Sequence, residues 1–184
     1  MHRLFVALRP PRAIRAILTA AMGGVPGARW QDDEQLHVTI RFLGEVARDR
    51  AEDIATALSH VAAPVAAARV EGVGAFDRRG RVDTLWARVL PVEPLAALHR
   101  KVDQALSRAG VAPDTRRYLP HITVARLPRG GQDPVATAHW IADHAALAVP
   151  AFTLDHLYLY ESHVRSDGAR YEAIARWPLS ASGE

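Results

Sequence analysis

The pattern histidine–apolar–threonine–apolar occurs at His37-Val38-Thr39-Ile40 and again at His121-Ile122-Thr123-Val124, 121 − 37 = 84 positions later. A chain of this composition is expected to hold roughly 0.1 such matches, and two with a probability on the order of 0.5%. On a strand, side chains alternate between the two faces. His37 and Thr39 then share one face, with Val38 and Ile40 on the other. His121 and Thr123 stand the same way against Ile122 and Val124. Each stretch offers an apolar face to helices and a polar face carrying one imidazole and one hydroxyl. Two such strands, side by side in corresponding halves of a chain, bring two histidines and two threonines to one cleft.

Apolar spacing arranges the rest of the chain around these strands. Residues 4–8 read as a buried strand, and Pro10-Pro11 opens a helix with Ile14, Ile17, Leu18 and Met22 on one face, stopped by Gly23-Gly24. A strand over 36–43 ends at Gly44, and a helix follows over 49–62. Strands over 65–75 and 83–90 are joined by the turn FDRRGRVD. The second half resembles the first: a helix over 94–109 with Leu95, Leu98, Val102 and Leu106 on one stripe, a strand over 121–126, and a helix from Asp133-Pro134 to about 146. Strands over 150–160 and 170–177, joined by SHVRSDGA, complete it. This order predicts an α+β fold of two similar lobes packed together as one domain, 1–184.

Composition narrows the chemistry. The chain has no cysteine, which removes thiol catalysis, cysteine-bound zinc and disulfides, and suits a reducing compartment. The apolar run Leu4–Leu8 before Arg9-Pro10-Pro11 is too short for a signal peptide, and no later run approaches a membrane span. The expected location is the cytoplasm, with no membrane partner and a monomer as the default. Of the 23 basic residues all but Lys101 are arginine. The planar guanidinium suits phosphate, although GC-rich codons account for the bias equally well. No GK[ST] phosphate loop accompanies Lys101, so lysyl-adenylate chemistry has no support.

Two histidines facing one site have three readings. They bind a metal, but threonine is a poor ligand and no third donor stands at a matching strand position. They are structural histidines with satisfied hydrogen bonds. Or they form an acid–base pair, since imidazole gains and loses protons near neutral pH. Two such groups on opposite sides of a phosphorus atom perform in-line displacement without metal, with threonine hydroxyls on the non-bridging oxygens.

At this point the sequence resembles the two-histidine (2H) phosphoesterases, and within them the bacterial RNA 2′,3′-cyclic phosphodiesterases historically called 2′-5′ RNA ligases. The likeness runs through RLFVAL at 3–8, LHVTIRFLGEV at 36–46, LWARV at 85–89, YLPHITVAR at 118–126 and LDHLYLYES at 154–162. It implies a bilobal, pseudo-symmetric fold: two antiparallel-sheet lobes with outer helices and a central cleft. It also implies hydrolysis of RNA 2′,3′-cyclic phosphate ends to 2′-phosphates without a cofactor or metal, and ATP-independent 2′-5′ ligation as the reverse transesterification. By the same resemblance His37 is the proton donor, His121 the proton acceptor, and Thr39, Thr123 and Arg126 bind the phosphate.

Some of these positions need their own argument. Strict alternation from His121 puts Arg126 on the apolar face with Ile122 and Val124. It reaches the cleft only if the strand ends or bulges after Val124. Phe42 continues the core-facing alternation of Val38 and Ile40 and reads first as core; stacking on a base is its other role, as it is for Trp30. Trp86 reads as a packed strand aromatic. Arg78, Arg79 and Arg81 crowd one turn and Arg116-Arg117 precede the second motif, so each cluster is either an RNA backbone contact or a solvated loop. Two other classes of function stay open: a 2H enzyme for a small cyclic nucleotide or 2′-5′ oligoadenylate, and a noncatalytic module that binds RNA ends.

Overall fold

Val38 of one motif strand lies beside Ile122 of the other, and the architecture grows outwards from this seam. The computed structural model describes residues 1–128, 130, 133–165 and 168–180. Its strands are β1 (His2–Leu8), β2 (Arg29–Trp30), β3 (Val38–Val46), β4 (Ala66–Arg78), β5 (Arg81–Leu90), β6 (His121–Arg126), β7 (Ala148–Leu154), β8 (His156–Arg165) and β9 (Gly168–Pro178). The helices are α1 (Arg12–Ala20), α2 (Arg48–Ser59), α3 (Val92–Arg108) and α4 (Pro134–Asp143). Among the described residues all nine strands join one open antiparallel sheet in the order β7-β4-β5-β6-β3-β1-β8-β9, with β2 added to β6.

Three strands flank each side of the β6–β3 seam, which gives the expected α+β arrangement of two sheet halves. The halves of the sheet are not the halves of the chain. One half is built from β1, β3, β8 and β9, the two ends of the sequence, and the other from β4 to β7. The single strand expected over 150–160 is two strands for this reason. Asp155 alone separates β7 from β8, yet they stand six places apart in the sheet. At about 4.8 Å per strand a flat sheet would hold them roughly 29 Å apart. One residue cannot span that, so the two halves curl towards each other and enclose a concave face.

The helices cover the convex face. α3 illustrates why its residues fold as they do: Leu95, Leu98, Val102 and Leu106 form one stripe and all are buried in the main core. α4 begins with Asp133, whose side chain accepts from the Ala136 N–H at 2.9 Å, and Pro134 occupies the first turn. β3 runs past Gly44 to Val46 rather than ending there. Gly44 takes φ +75°, and the ladder to β1 skips Leu43 and resumes. Behind β3, Arg41 is buried and bonds Asp103 of α3 at 2.8 Å and the Ala112 carbonyl at 2.5 Å. This strut fixes β3 against α3 and against the approach to β6.

On the concave face Phe5, Ala7 and Tyr160 form a small separate cluster, with Tyr158 and Tyr171 packed on it. The β4–β5 turn has Arg79 at φ 56° and Gly80 at φ 75° between the paired Arg78 and Arg81. Two positive values define a type I′ hairpin, whose twist suits the flanking strands. The turn expected over 162–169 includes 166–167, which lie outside the described residues. No helix among the described residues is long and apolar enough to cross a membrane.

Candidate active site

The period-two reading of both motifs holds at their first four residues. Val38, Ile40, Ile122 and Val124 are buried in the core, while His37, Thr39, His121 and Thr123 are half-buried and line one cleft of about 970 Å³. The sheet seam explains their meeting. Antiparallel register through Val38 and Ile122, continued one residue each way, sets Thr39 across from His121 and His37 across from Thr123.

Beyond the fourth residue the alternation changes phase, and it does so in both motifs. In the β6–β5 ladder Thr123 pairs with Trp86 and Ala125 with Leu85, so Val124 is an extra residue. In the β3–β1 ladder Thr39 pairs with Ala7 and Arg41 with Val6, so Ile40 is the extra residue. These are β-bulges at equivalent places. The Val124 carbonyl is satisfied by the Gln31 N–H at 2.9 Å, next to β2.

The bulges settle where two uncertain side chains stand. Arg126 lines the cleft and donates from Nη1 to Thr84 Oγ1 at 2.9 Å, and Thr84 in turn donates to Asp83 at 2.8 Å. Phe42, 126 − 42 = 84 positions earlier, also lines the cleft and is 38% exposed. Its expected core position is therefore overturned: the inserted Ile40 moves it to the concave face. The Arg3 guanidinium lies 5.3 Å from its ring centroid.

The two imidazoles are held alike. His37 Nδ1 is 2.6 Å from the Gln35 carbonyl and His121 Nδ1 is 2.7 Å from the Leu119 carbonyl. A carbonyl only accepts, so Nδ1 carries the proton in each ring, and Nε2 is left with a lone pair when the ring is neutral. His37 Nε2 is 3.0 Å from Thr39 Oγ1, which donates to it. Aromatic rings back each imidazole: Phe5 at 4.9 Å and Tyr171 at 5.3 Å beside His37, and Phe76 at 5.0 Å and Trp86 at 6.0 Å beside His121.

This packing sets the electrostatics. Burial pushes His37 down to about 4; the Gln35 carbonyl opposes that, and the charges of His121 and Arg126 add to it. Burial also lowers His121, opposed by the Leu119 carbonyl and reinforced by Arg126. Both rings are thus neutral near pH 7 in the ligand-free cleft.

Arg78, Arg79 and Arg81 line the same cleft, on the hairpin that also carries Phe76 and Trp86 beside His121. Arg116 and Arg117 do not line it; Arg116 is instead bound through two nitrogens to Asp114, at 3.0 and 3.1 Å. Trp30 lines the cleft and also packs on Trp140 at 5.6 Å. Trp86 is a packed strand aromatic, 7% exposed.

Sequence reasoning missed Gln35, Tyr118 and the cleft arginines Arg3 and Arg29. Tyr118 donates its hydroxyl to the Thr39 carbonyl at 3.1 Å, which ties the approach to the second motif onto the first. Gln35 had a legible signal, since Asp32 and Gln35 have the spacing of a capping box. Among the described residues no three His, Asp or Glu side chains are grouped as a metal site would need.

Two histidines and two hydroxyls facing one arginine-lined cleft, on this sheet, define the class of two-histidine phosphoesterases. The chain belongs to the 2′-5′ RNA ligase superfamily, whose family model matches residues 7–165. An RNA 2′,3′-cyclic phosphodiesterase of Geobacillus stearothermophilus is 30% identical over 170 residues; the match spans 91% of this chain but only 53% of that protein. One of Aeropyrum pernix is 26% identical over 161 residues, 87% of this chain and 90% of the relative. The fold matches the crystal structure of E. coli LigT complexed with 3′-AMP, with a TM-score of 0.76 at 21% identity over 98% of this chain and 99% of the other.

Proposed function

We propose that this chain hydrolyses 2′,3′-cyclic phosphodiester ends of RNA to 2′-phosphates by acid–base catalysis between its two histidines. The observation that carries the reading is the matched pair of imidazoles, each with Nδ1 tied to a backbone carbonyl and each beside a threonine in one cleft. His121 Nε2 takes a proton from the attacking water as the new O–P bond forms. His37, protonated, gives its proton to the 3′ oxygen as the P–O3′ bond breaks. Thr39, Thr123 and Arg126 hold the non-bridging oxygens. Burial keeps both rings neutral near pH 7, so the acid is not formed by the protein alone. A cyclic phosphate monoanion between them favours imidazolium and so recruits the proton that His37 needs. With a 5′-hydroxyl in place of water, the same two transfers join RNA ends through a 2′-5′ linkage.

The names of the curated relatives and the 3′-AMP in the LigT structure support a ribonucleotide substrate. Arg78, Arg79 and Arg81 add to the cationic lining of the cleft, which supports contact with the RNA backbone, and the exposed Phe42 ring in the same cleft supports stacking on a base. The test is an EDTA-treated assay on a short RNA ending in 2′,3′-cyclic phosphate, with the product end identified. A 2′-phosphate is the expected product; a 3′-phosphate would reverse the leaving group, and absence of turnover would overturn the reading.

A further inference from the structure

The two histidine sites share a near two-fold relation, and one place where it breaks is the residue whose carbonyl holds each imidazole. Leu119, whose carbonyl holds His121, offers an apolar side chain, 37% exposed. Gln35, whose carbonyl holds His37, has a side-chain amide used at both ends. Its Oε1 accepts the Asp32 N–H at 3.0 Å while its own N–H donates to Asp32 Oδ1 at 3.0 Å, a reciprocal capping box. Its Nε2 donates to the Ala169 carbonyl of β9 at 2.5 Å. The short turn Asp33–Gln35 is also pinned to α1, where Arg15 makes two bonds to Asp33, each 2.9 Å.

Gly168, Ala169 and Tyr171 line the cleft. One amide therefore joins a strand that borders the cleft to the carbonyl that orients the His37 ring. We propose that Gln35 is a positioning residue for His37: it holds the carbonyl that keeps the proton on Nδ1 and directs Nε2 to the phosphate, and it takes that constraint from β9. This rests on reading His37 as the acid. The capping box alone would need no bond to β9, and the bond to β9 alone would not fix the turn. Both meet in the residue that His37 depends on.

Two substitutions test this role. Gln35→Glu keeps an oxygen for the Asp32 N–H but sets a carboxylate against the Ala169 carbonyl; Gln35→Met removes both bonds. The primary readout is ¹⁵N NMR of the histidine rings in the ligand-free protein, with His121 as the internal reference. The expected result in both variants is loss of the fixed Nδ1–H tautomer at His37 while His121 keeps its own. Kinetics on RNA ending in 2′,3′-cyclic phosphate should show kcat lower by roughly tenfold or more, with KM within about twofold, as for a misaligned group. An unchanged His37 tautomer overturns the proposal, and so does an equal change at both rings, which would mark general loosening. If the methionine variant does not fold, the glutamate variant decides alone. If the wild-type chain does not turn over RNA cyclic phosphate, the proposed function fails, and the ring spectra still decide the role of Gln35.

Discussion

Val38 pairs with Ile122 across the middle of the sheet, and that pairing makes His37 and His121 diagonal neighbours, each across from the other motif's threonine. In-line displacement needs its acid and base on opposite sides of phosphorus, and this register supplies two equivalent groups. His37→Ala and His121→Ala are each expected to lower turnover by roughly 10²–10⁴, the usual worth of a positioned acid or base. The double variant should be little worse than the poorer single one, because the two act as a unit. Single-turnover hydrolysis with EDTA present measures all three; near-full activity in either single variant would sink the acid–base assignment.

The pH dependence follows from the lowered histidines. kcat/KM reports the free enzyme, where His37 lies at about 4 and His121 is held below its ordinary value. A bound phosphate anion raises both, so the limbs of the kcat profile should stand at higher pH than those of kcat/KM. Coincident limbs would contradict this. The same shift has a sign for stability. Below about pH 6.5 the unfolded chain gains a proton at residue 37 that the folded chain refuses until about 4, so stability falls as pH falls through that window. Thermal midpoints of His37→Gln should fall less steeply there than those of the wild type.

The threonines are predicted to be unequal. Thr39 Oγ1 already donates to His37 Nε2 and must leave it to bind phosphate. Among the described residues no side-chain hydrogen bond engages Thr123. Each hydroxyl is worth on the order of 1.5–3 kcal/mol against a charged oxygen, roughly 10- to 150-fold in kcat/KM. Thr39→Ala should sit near the lower figure and Thr123→Ala near the upper. Steady-state kinetics on one oligonucleotide orders them, and the reverse order would contradict the resting bond.

The cleft also predicts which arginines sense RNA length. Arg78→Ala and Arg79→Ala should each reduce the slope of log kcat/KM against log salt by about 0.7 on an oligonucleotide, the share of one single-strand phosphate contact. Turnover of a nucleoside 2′,3′-cyclic phosphate should stay unchanged. Arg116→Ala, outside the cleft, should leave both slopes alone. Equal effects from Arg116 and Arg79 would mean that net charge, not the hairpin, attracts the strand.

What the sequence conveyed and what it withheld divide at the bulges. The faces of His37, Thr39, His121 and Thr123 follow from alternation because each motif is an unbroken run of four. Phe42 and Arg126 lie past Ile40 and Val124, where the ladders to β1 and β5 skip a residue. That skip depends on the partner strands, so no local pattern reports it. The break at Asp155 is similar: residues that suit a strand stand on both sides of Asp155-His156, and only the curl of the sheet sends the two parts to different halves. The helix stripe of α3 depends on local spacing and was legible in full.

Gly74 offers the sharpest link between packing and catalysis. Its backbone conformation suits any residue, but a Cβ there would overlap the Trp86 indole, which lies across the β4–β5 ladder from it. Trp86 is 7% exposed and backs His121 at 6.0 Å, so it has little room to move away from the core and shifts towards the imidazole. Gly74→Ala is therefore expected to cost about 1–3 kcal/mol of stability, as overpacking does. It should also lower kcat while leaving the His37 ring spectrum unchanged. Replacing Trp86 with the smaller phenylalanine in the same chain should restore part of both losses, since it removes the overlapping ring. Denaturant unfolding and turnover measured on the single and double variants test this; a Gly74→Ala chain with full stability and activity would show that the indole yields freely and that its contact with His121 sets nothing.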